Sequence, residues 1–244
     1  GGLFATDTDI YLTNTSLIAN HATSNGGGLL ISTQGTYPQA YLINVTVGAN
    51  AAENHGGGLY FGADTRGDLS NVTITQNTAD WSITGVGDGS GDGGGIASAS
   101  QHLVVLRNSL VAENSDRSLV APPAYGDPDC DGSFESDGYN LIGNKTCTIT
   151  AQTGDHFGNR FSPVDPLLGD RVDNATPNYT SYYPILESSP LIDRGNPSGC
   201  VNSDDELITE DQLERARPQG MHCDIGAYES SFSLTGIYLP LVLR

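Results

Sequence analysis

Positive charge is scarce in this chain of 244 residues. It has one lysine, Lys145, and Lys plus Arg total 10 against 29 Asp plus Glu, for a formal net charge of −19. Such a chain repels nucleic-acid phosphates and anionic membrane surfaces, which argues against both as partners. It is compatible with cation binding and with solubility outside a cell, although a solvated acidic surface is the simplest reading. Long apolar runs are also missing, so no membrane-spanning segment is predicted. No signal peptide opens the sequence. Gly1-Gly2-Leu3 reads as the middle of a repeat, so targeting information is expected upstream. The sequence has no C-x-x-C zinc pattern, no G-x-S-x-G, no H-E-x-x-H and no phosphate-binding loop, and its five histidines are scattered without ligand spacing.

Four cysteines are present, Cys130, Cys147, Cys200 and Cys223, all in the second half. An even count points to two disulfides and an oxidising compartment. Three pairings are open. The sequential one closes two short loops, each contributing on the order of 3 kcal/mol through the unfolded state.

The first half repeats. Segments beginning at Asn14, Asn44, Asn71 and Asn108 align without gaps, each with a second asparagine six residues on: Asn20, Asn50, Asn77 and Asn114. Two residues before the first asparagine stands Leu12, Leu42, Leu69 or Leu106. Three after it stands Leu17, Val47, Ile74 or Val111. The copies begin 30, 27 and 37 residues apart. Between them recurs a glycine triplet followed by an aliphatic residue, ending in Leu29, Leu59 and Ile96. A unit of about 30 residues with two or three short strands cannot bury both strand faces alone, whereas stacked units place like residues about 4.8 Å apart. Helix formers are scarce, which excludes α-solenoids. The fold expected is all-β: a right-handed parallel β-helix with an irregular, disulfide-stapled C-terminal cap region. Residues 1–120 form coils, 121–230 continue them and add the cap with loops, and 231–244 form a Ser-rich linker and an apolar strand. Residues 209–217 are predicted to form one short helix, with Thr209 and Gln212 as a capping box.

The glycine-triplet and Asn-x-Thr repeats resemble those of polymorphic outer-membrane proteins of the pectate-lyase-like superfamily. Six stretches of the second half resemble bacterial surface proteins with a choice-of-anchor Q domain: 129–133, 136–144, 165–169 (Asp-Pro-Leu-Leu-Gly), 188–197 (Ser-Ser-Pro-Leu-Ile-Asp-Arg-Gly-Asn-Pro), 216–220 and 223–229 (Cys-Asp-Ile-Gly-Ala-Tyr-Glu). Two family stretches are altered, at 174–186 and at 211–215. The resemblance implies a β-helix at a cell surface and no particular activity.

Several residues are candidates for function. The third repeat carries an insertion holding the only tryptophan, Trp81, suited to stacking on a glycan; a tolerated loop is the plainer reading. Acidic clusters could bind calcium: Asp88 with Asp92; Asp127 with Asp129 and Asp131; and Asp204, Asp205 with Glu206. A solvated acidic surface loop is the simpler reading of each. Asn144, Asn174 and Asn178 lie in sequons outside the repeat and are candidate glycosylation sites. Ile237, Tyr238, Leu239, Leu241, Val242 and Leu243 form an apolar tail that could fold back or be donated to another subunit, giving filaments. Polysaccharide cleavage is the enzymatic alternative. One Lys and nine Arg give it little to work with, and Arg66 and Arg107 are expected to be solvated. The function expected is an extracellular structural or adhesive module that self-associates or contacts glycans; the alternative is a polysaccharide-binding or polysaccharide-cleaving protein.

Overall fold

The computed structural model describes residues 1–81, 91–117, 128–176 and 179–233. Among them the chain is an all-β parallel solenoid with no helix. Each regular turn contributes strands to three parallel sheets. The sheet that follows the glycine triplets holds Leu3–Thr6, Leu29–Ser32, Leu59–Phe61, Ile96–Ser98 and Cys130–Gly132. The long sheet begins with Ile10–Ile18, Gln39–Gly48 and Arg66–Thr75 and continues as paired shorter strands. These are Val104–Arg107 with Leu110–Ala112, then Glu135–Ser136 with Leu141–Ile142, ending at His156–Phe157. A short sheet stacks His21–Ala22, Ala51–Ala52, Thr78–Ala79 and Ser115–Asp116.

The register puts like over like. Leu12 pairs with Leu42, Leu42 with Leu69 and Leu69 with Leu106. Leu17, Val47, Ile74 and Val111 form the second column. Leu42, Leu69, Ile74 and Val111 are buried in one core that runs the length of the solenoid. Both columns are as the sequence periodicity predicts.

Between the two columns the long strands bend, and the bend residue is asparagine in each regular turn. Asn14, Asn44, Asn71 and Asn108 have φ of 49°, 53°, 54° and 47°, the left-handed region that asparagine tolerates best among non-glycine residues. The glycine triplets answer a different demand. The first glycine has positive φ, 65° at Gly56. The second packs against neighbouring turns: a Cβ on Gly57 would lie 2.4 Å from the Gly94 carbonyl oxygen, so no other residue fits.

The predicted helix over 209–217 is not formed. The segment is a turn closed by an antiparallel bridge between Glu210 and Ala216. The Asp211 carboxylate accepts the Leu213 and Arg215 amides at 2.8 and 3.0 Å, and Glu214 adopts a φ of 59°. A side chain that captures these amides offers the backbone an alternative to the helix.

The segment expected to close the end of the solenoid lies along its flank, on the outer face of the second half of the long strands. Ser181 N–H donates to Ser16 Oγ at 2.9 Å, and Ala227 N–H to Thr73 Oγ1 at 3.0 Å. Asn44 and Asn108 donate their amides to the Glu210 and Asp224 carbonyls, both at 2.9 Å. The flank thus touches four successive turns. A smaller apolar cluster seals it, with Leu110, Leu141, Ile185, Leu191, Ile192 and Ile225. Both disulfides form in sequential pairing. Cys130–Cys147 lies inside the solenoid core, and Cys200–Cys223 ties the flank together.

Leu69→Ala removes a fully buried member of the first column and should destabilise by about 2–5 kcal/mol in chemical denaturation. Leu103→Ala, at a site 53% exposed, should cost less than about 0.5 kcal/mol.

Candidate functional site

The buried polar groups decide which side chains remain for chemistry. The second asparagines form a continuous ladder. Asn20 donates its side-chain amide to Asn50 Oδ1, Asn50 to Asn77 Oδ1, and Asn77 to Asn114 Oδ1, each at 2.9 Å. Each acceptor also takes the backbone N–H of the asparagine before it, as Asn50 Oδ1 takes that of Asn20 at 3.0 Å. The second amide hydrogen goes to a carbonyl across the turn, Leu17 for Asn50 and Val47 for Asn77.

The ladder ends on a carboxylate. Asp129 Oδ1 accepts Asn114 Nδ2 and its backbone N–H, and Oδ2 accepts the Asn144 N–H at 2.6 Å. Burial pushes the Asp129 carboxyl up to about 6, against the pull of these donors. A second ladder ends the same way: Asn140 donates its backbone N–H to Asp155 Oδ1 at 2.8 Å.

The flank has its own polar core. Arg217 and Glu229 are fully buried and paired, Nε to Oε2, at 3.1 Å. Glu229 also accepts the Gln219 and Asp224 amides, each at 3.0 Å. Asp224 accepts the Asp193 and Ser230 amides, both at 2.8 Å. Asp211 holds Arg215 and the Glu229 amide, and Arg215 lies over the Tyr228 ring at 4.0 Å. Burial raises the Asp224 and Glu229 carboxyls, with Arg217 opposing it in both. Asp193, Arg217, Asp224 and Glu229 all fall in stretches that carry the surface-protein resemblance. Their side chains are occupied in internal wiring.

The other predicted site residues are dispersed. Trp81 is half-buried and edge-on to His21 at 4.4 Å, and its backbone N–H donates to the Ala52 carbonyl; it packs on the solenoid. Asp129 is spent on the ladder. Asp204, Asp205 and Glu206 lie in an exposed turn organised by Asn202, whose Oδ1 accepts the Asp204 and Glu206 amides. Asn144 has its Oδ1 buried without a hydrogen-bond partner, whereas Asn174 is exposed beside the turn of the hairpin Val172–Ala175 with Thr180–Tyr182. Asp88, Asp127, Asn178 and the tail residues Ile237, Tyr238, Leu239, Leu241, Val242 and Leu243 lie outside the described residues. Asp92 and Asp131 do meet, with His55 as a third member that sequence spacing had not suggested.

Arg107 corrects an expectation. It is 9% exposed rather than solvated. Its guanidinium pairs with Asp68 of the preceding turn and, at 3.1 Å, with Asp137 of the following one. Burial raises the Asp68 carboxyl while Arg107 lowers it. Asp68 lines an open cleft of about 320 Å³ with Gln39, Arg66, Gln101, His102 and Leu103. Tyr41 stands in register with Asp68 and stacks on the exposed Tyr11, ring centroids 4.7 Å apart and planes 5° from parallel. A flat aromatic pair beside an arginine, a carboxylate and amides is chemistry that suits a polar ring-shaped ligand.

Comparison with known proteins adds no relative. No protein-family model, no curated protein and no solved structure matches the chain.

Asn77→Ala interrupts the ladder at its centre and should destabilise by about 1–3 kcal/mol, because the Asn50 amide groups are left without their acceptor. Glu229→Gln leaves Arg217 buried without its counter-charge and should cost about 3–5 kcal/mol, read as a shift in denaturation midpoint.

Proposed function

We propose that the chain is an extracellular or cell-surface structural module, a rigid β-helix that presents an acidic face for adhesion and self-association. The observation that carries this reading is the internal wiring of the flank. The charged residues in its recognisable stretches bond to backbone amides and to each other and hold the flank's own loops, while Ser16, Asn44, Thr73 and Asn108 fasten it across four turns. The disulfides fit an oxidising, extracellular setting. The resemblance of the second half to choice-of-anchor Q surface proteins agrees with this location. Calcium on the acidic turn at 204–206, glycans at Asn174 and a donated C-terminal strand belong to the same reading.

A second reading has its own observation. The Tyr11–Tyr41 stack beside the cleft of Arg66, Asp68 and Gln101 favours binding of a polysaccharide along the outer face.

Sedimentation of the purified chain separates scaffold from monomeric binder. The structural reading expects concentration-dependent assemblies that become smaller when residues 234–244 are deleted, and no new reducing or unsaturated ends after incubation with acidic polysaccharides. A monomer at all concentrations that releases such ends would overturn it. For the second reading, retardation on polysaccharide affinity gels should disappear in Tyr11→Ala/Tyr41→Ala while the melting temperature stays within a few degrees.

A further inference from the structure

His55 and Asp92 occupy the same place in the repeat, immediately before a glycine triplet. Stacking therefore brings them together, and the Asp92 N–H donates to His55 Nδ1 at 3.1 Å. Asp131 comes from the following turn. On its strand it stands in register with Ala97, which stands in register with Tyr60. Ala97 is small, so no bulky side chain of that column separates Asp131 from the turns before it. All three residues are half-buried. One donor atom from each lies within 4.8 Å of the other two.

Among the described residues the Asp131 carboxylate has no hydrogen-bond donor and no cation, although it is half-buried beside a second carboxylate. Two like charges in that position repel, and partial burial sharpens the repulsion. Among the described residues, Asp129, Asp211, Asp224 and Glu229 are answered by backbone amides, whereas Asp131 lacks such a donor.

We infer that His55, Asp92 and Asp131 bind a divalent metal ion of the zinc class, through one imidazole nitrogen and two carboxylate oxygens. Imidazole selects this class: calcium and magnesium take oxygen donors, whereas zinc and its neighbours take nitrogen as well. Three protein ligands leave further positions to water, as in open zinc sites. With bonds of about 2.0–2.1 Å, tetrahedral donors sit about 3.3 Å apart. Closing from 4.8 Å or less is within reach of side-chain rotation. The Asp92 amide sets a cost. A metal at Nδ1 displaces that hydrogen bond, and a metal at Nε2 displaces a proton to solvent, so the site binds more weakly than a closed structural zinc site. The ion would tie three successive turns together at their glycine corners. This assignment replaces calcium at the separate Asp88–Asp92 and Asp127–Asp131 loops, and it stands whether the protein is a scaffold or a polysaccharide binder.

The test is calorimetric titration of the untagged, chelator-stripped full chain with zinc chloride and, separately, calcium chloride. One zinc per chain should bind, with affinity falling at least about tenfold in both His55→Gln and Asp131→Asn. His55→Gln keeps an acceptor for the Asp92 amide, so the variant remains folded, which thermal melting of the metal-free proteins verifies. Calcium should bind more weakly and ignore His55→Gln. No zinc binding up to about 1 mM would overturn the assignment. So would zinc binding that survives both substitutions, which would place the ion at another histidine, or binding lost only with Asp131→Asn, which would mean carboxylates alone.

Discussion

The structure depends on asparagine amides stacked in register. A side-chain amide offers one acceptor oxygen and two donor hydrogens. Turns repeated about 4.8 Å apart use all three. Asn50 shows the complete pattern: its oxygen takes two donors from Asn20, and its hydrogens go to Asn77 and to the Leu17 carbonyl. Satisfying every group inside a corner lets the turns shed water there without leaving a buried orphan, which would cost about 1–3 kcal/mol each. The aliphatic columns then fall into line, because the ladder fixes which turn residue lies over which.

A ladder of this kind needs an ending, and aspartate supplies it. At Asp129 the next donor is the Asn144 N–H rather than another asparagine. A second oxygen there is worth more than an amide nitrogen, which would face a donor. The same logic governs the flank, where carboxylates gather backbone amides from loops that have no regular sheet to satisfy them. Acidic residues, abundant enough to give the chain its net charge of −19, are therefore partly a framework material. Among these groups Asp131 stands apart, since no donor among the described residues answers its carboxylate.

Much of the solenoid was legible in the sequence. A stacked coil demands the same residue at the same place in every turn, so Leu12, Leu42, Leu69 and Leu106 could be aligned without coordinates. What was not legible was long-range or broke the period. Asp129 follows Asn114 by only 15 residues, half a repeat, so it read as an acidic loop and not as the end of the ladder. Arg107 looked solvated because its partners, Asp68 and Asp137, lie a full turn away on either side. The helix predicted over 209–217 failed because Asp211 captures the amides the helix needed. The pairing of His55 with Asp92 could have been found, since both precede a glycine triplet; Asp131 could not, because it follows its corner on a strand, at a different place in the repeat.

The central claim is that flank and solenoid are one cooperative unit, joined through buried hydrogen bonds. Native-state hydrogen exchange measures this directly. The account predicts that the Ala227 and Gln212 amides of the flank exchange with the same opening free energy as the ladder amides of Asn50 and Asn77 and the core amide of Leu69. A flank that opens at markedly lower free energy, while the ladder stays protected, would contradict it.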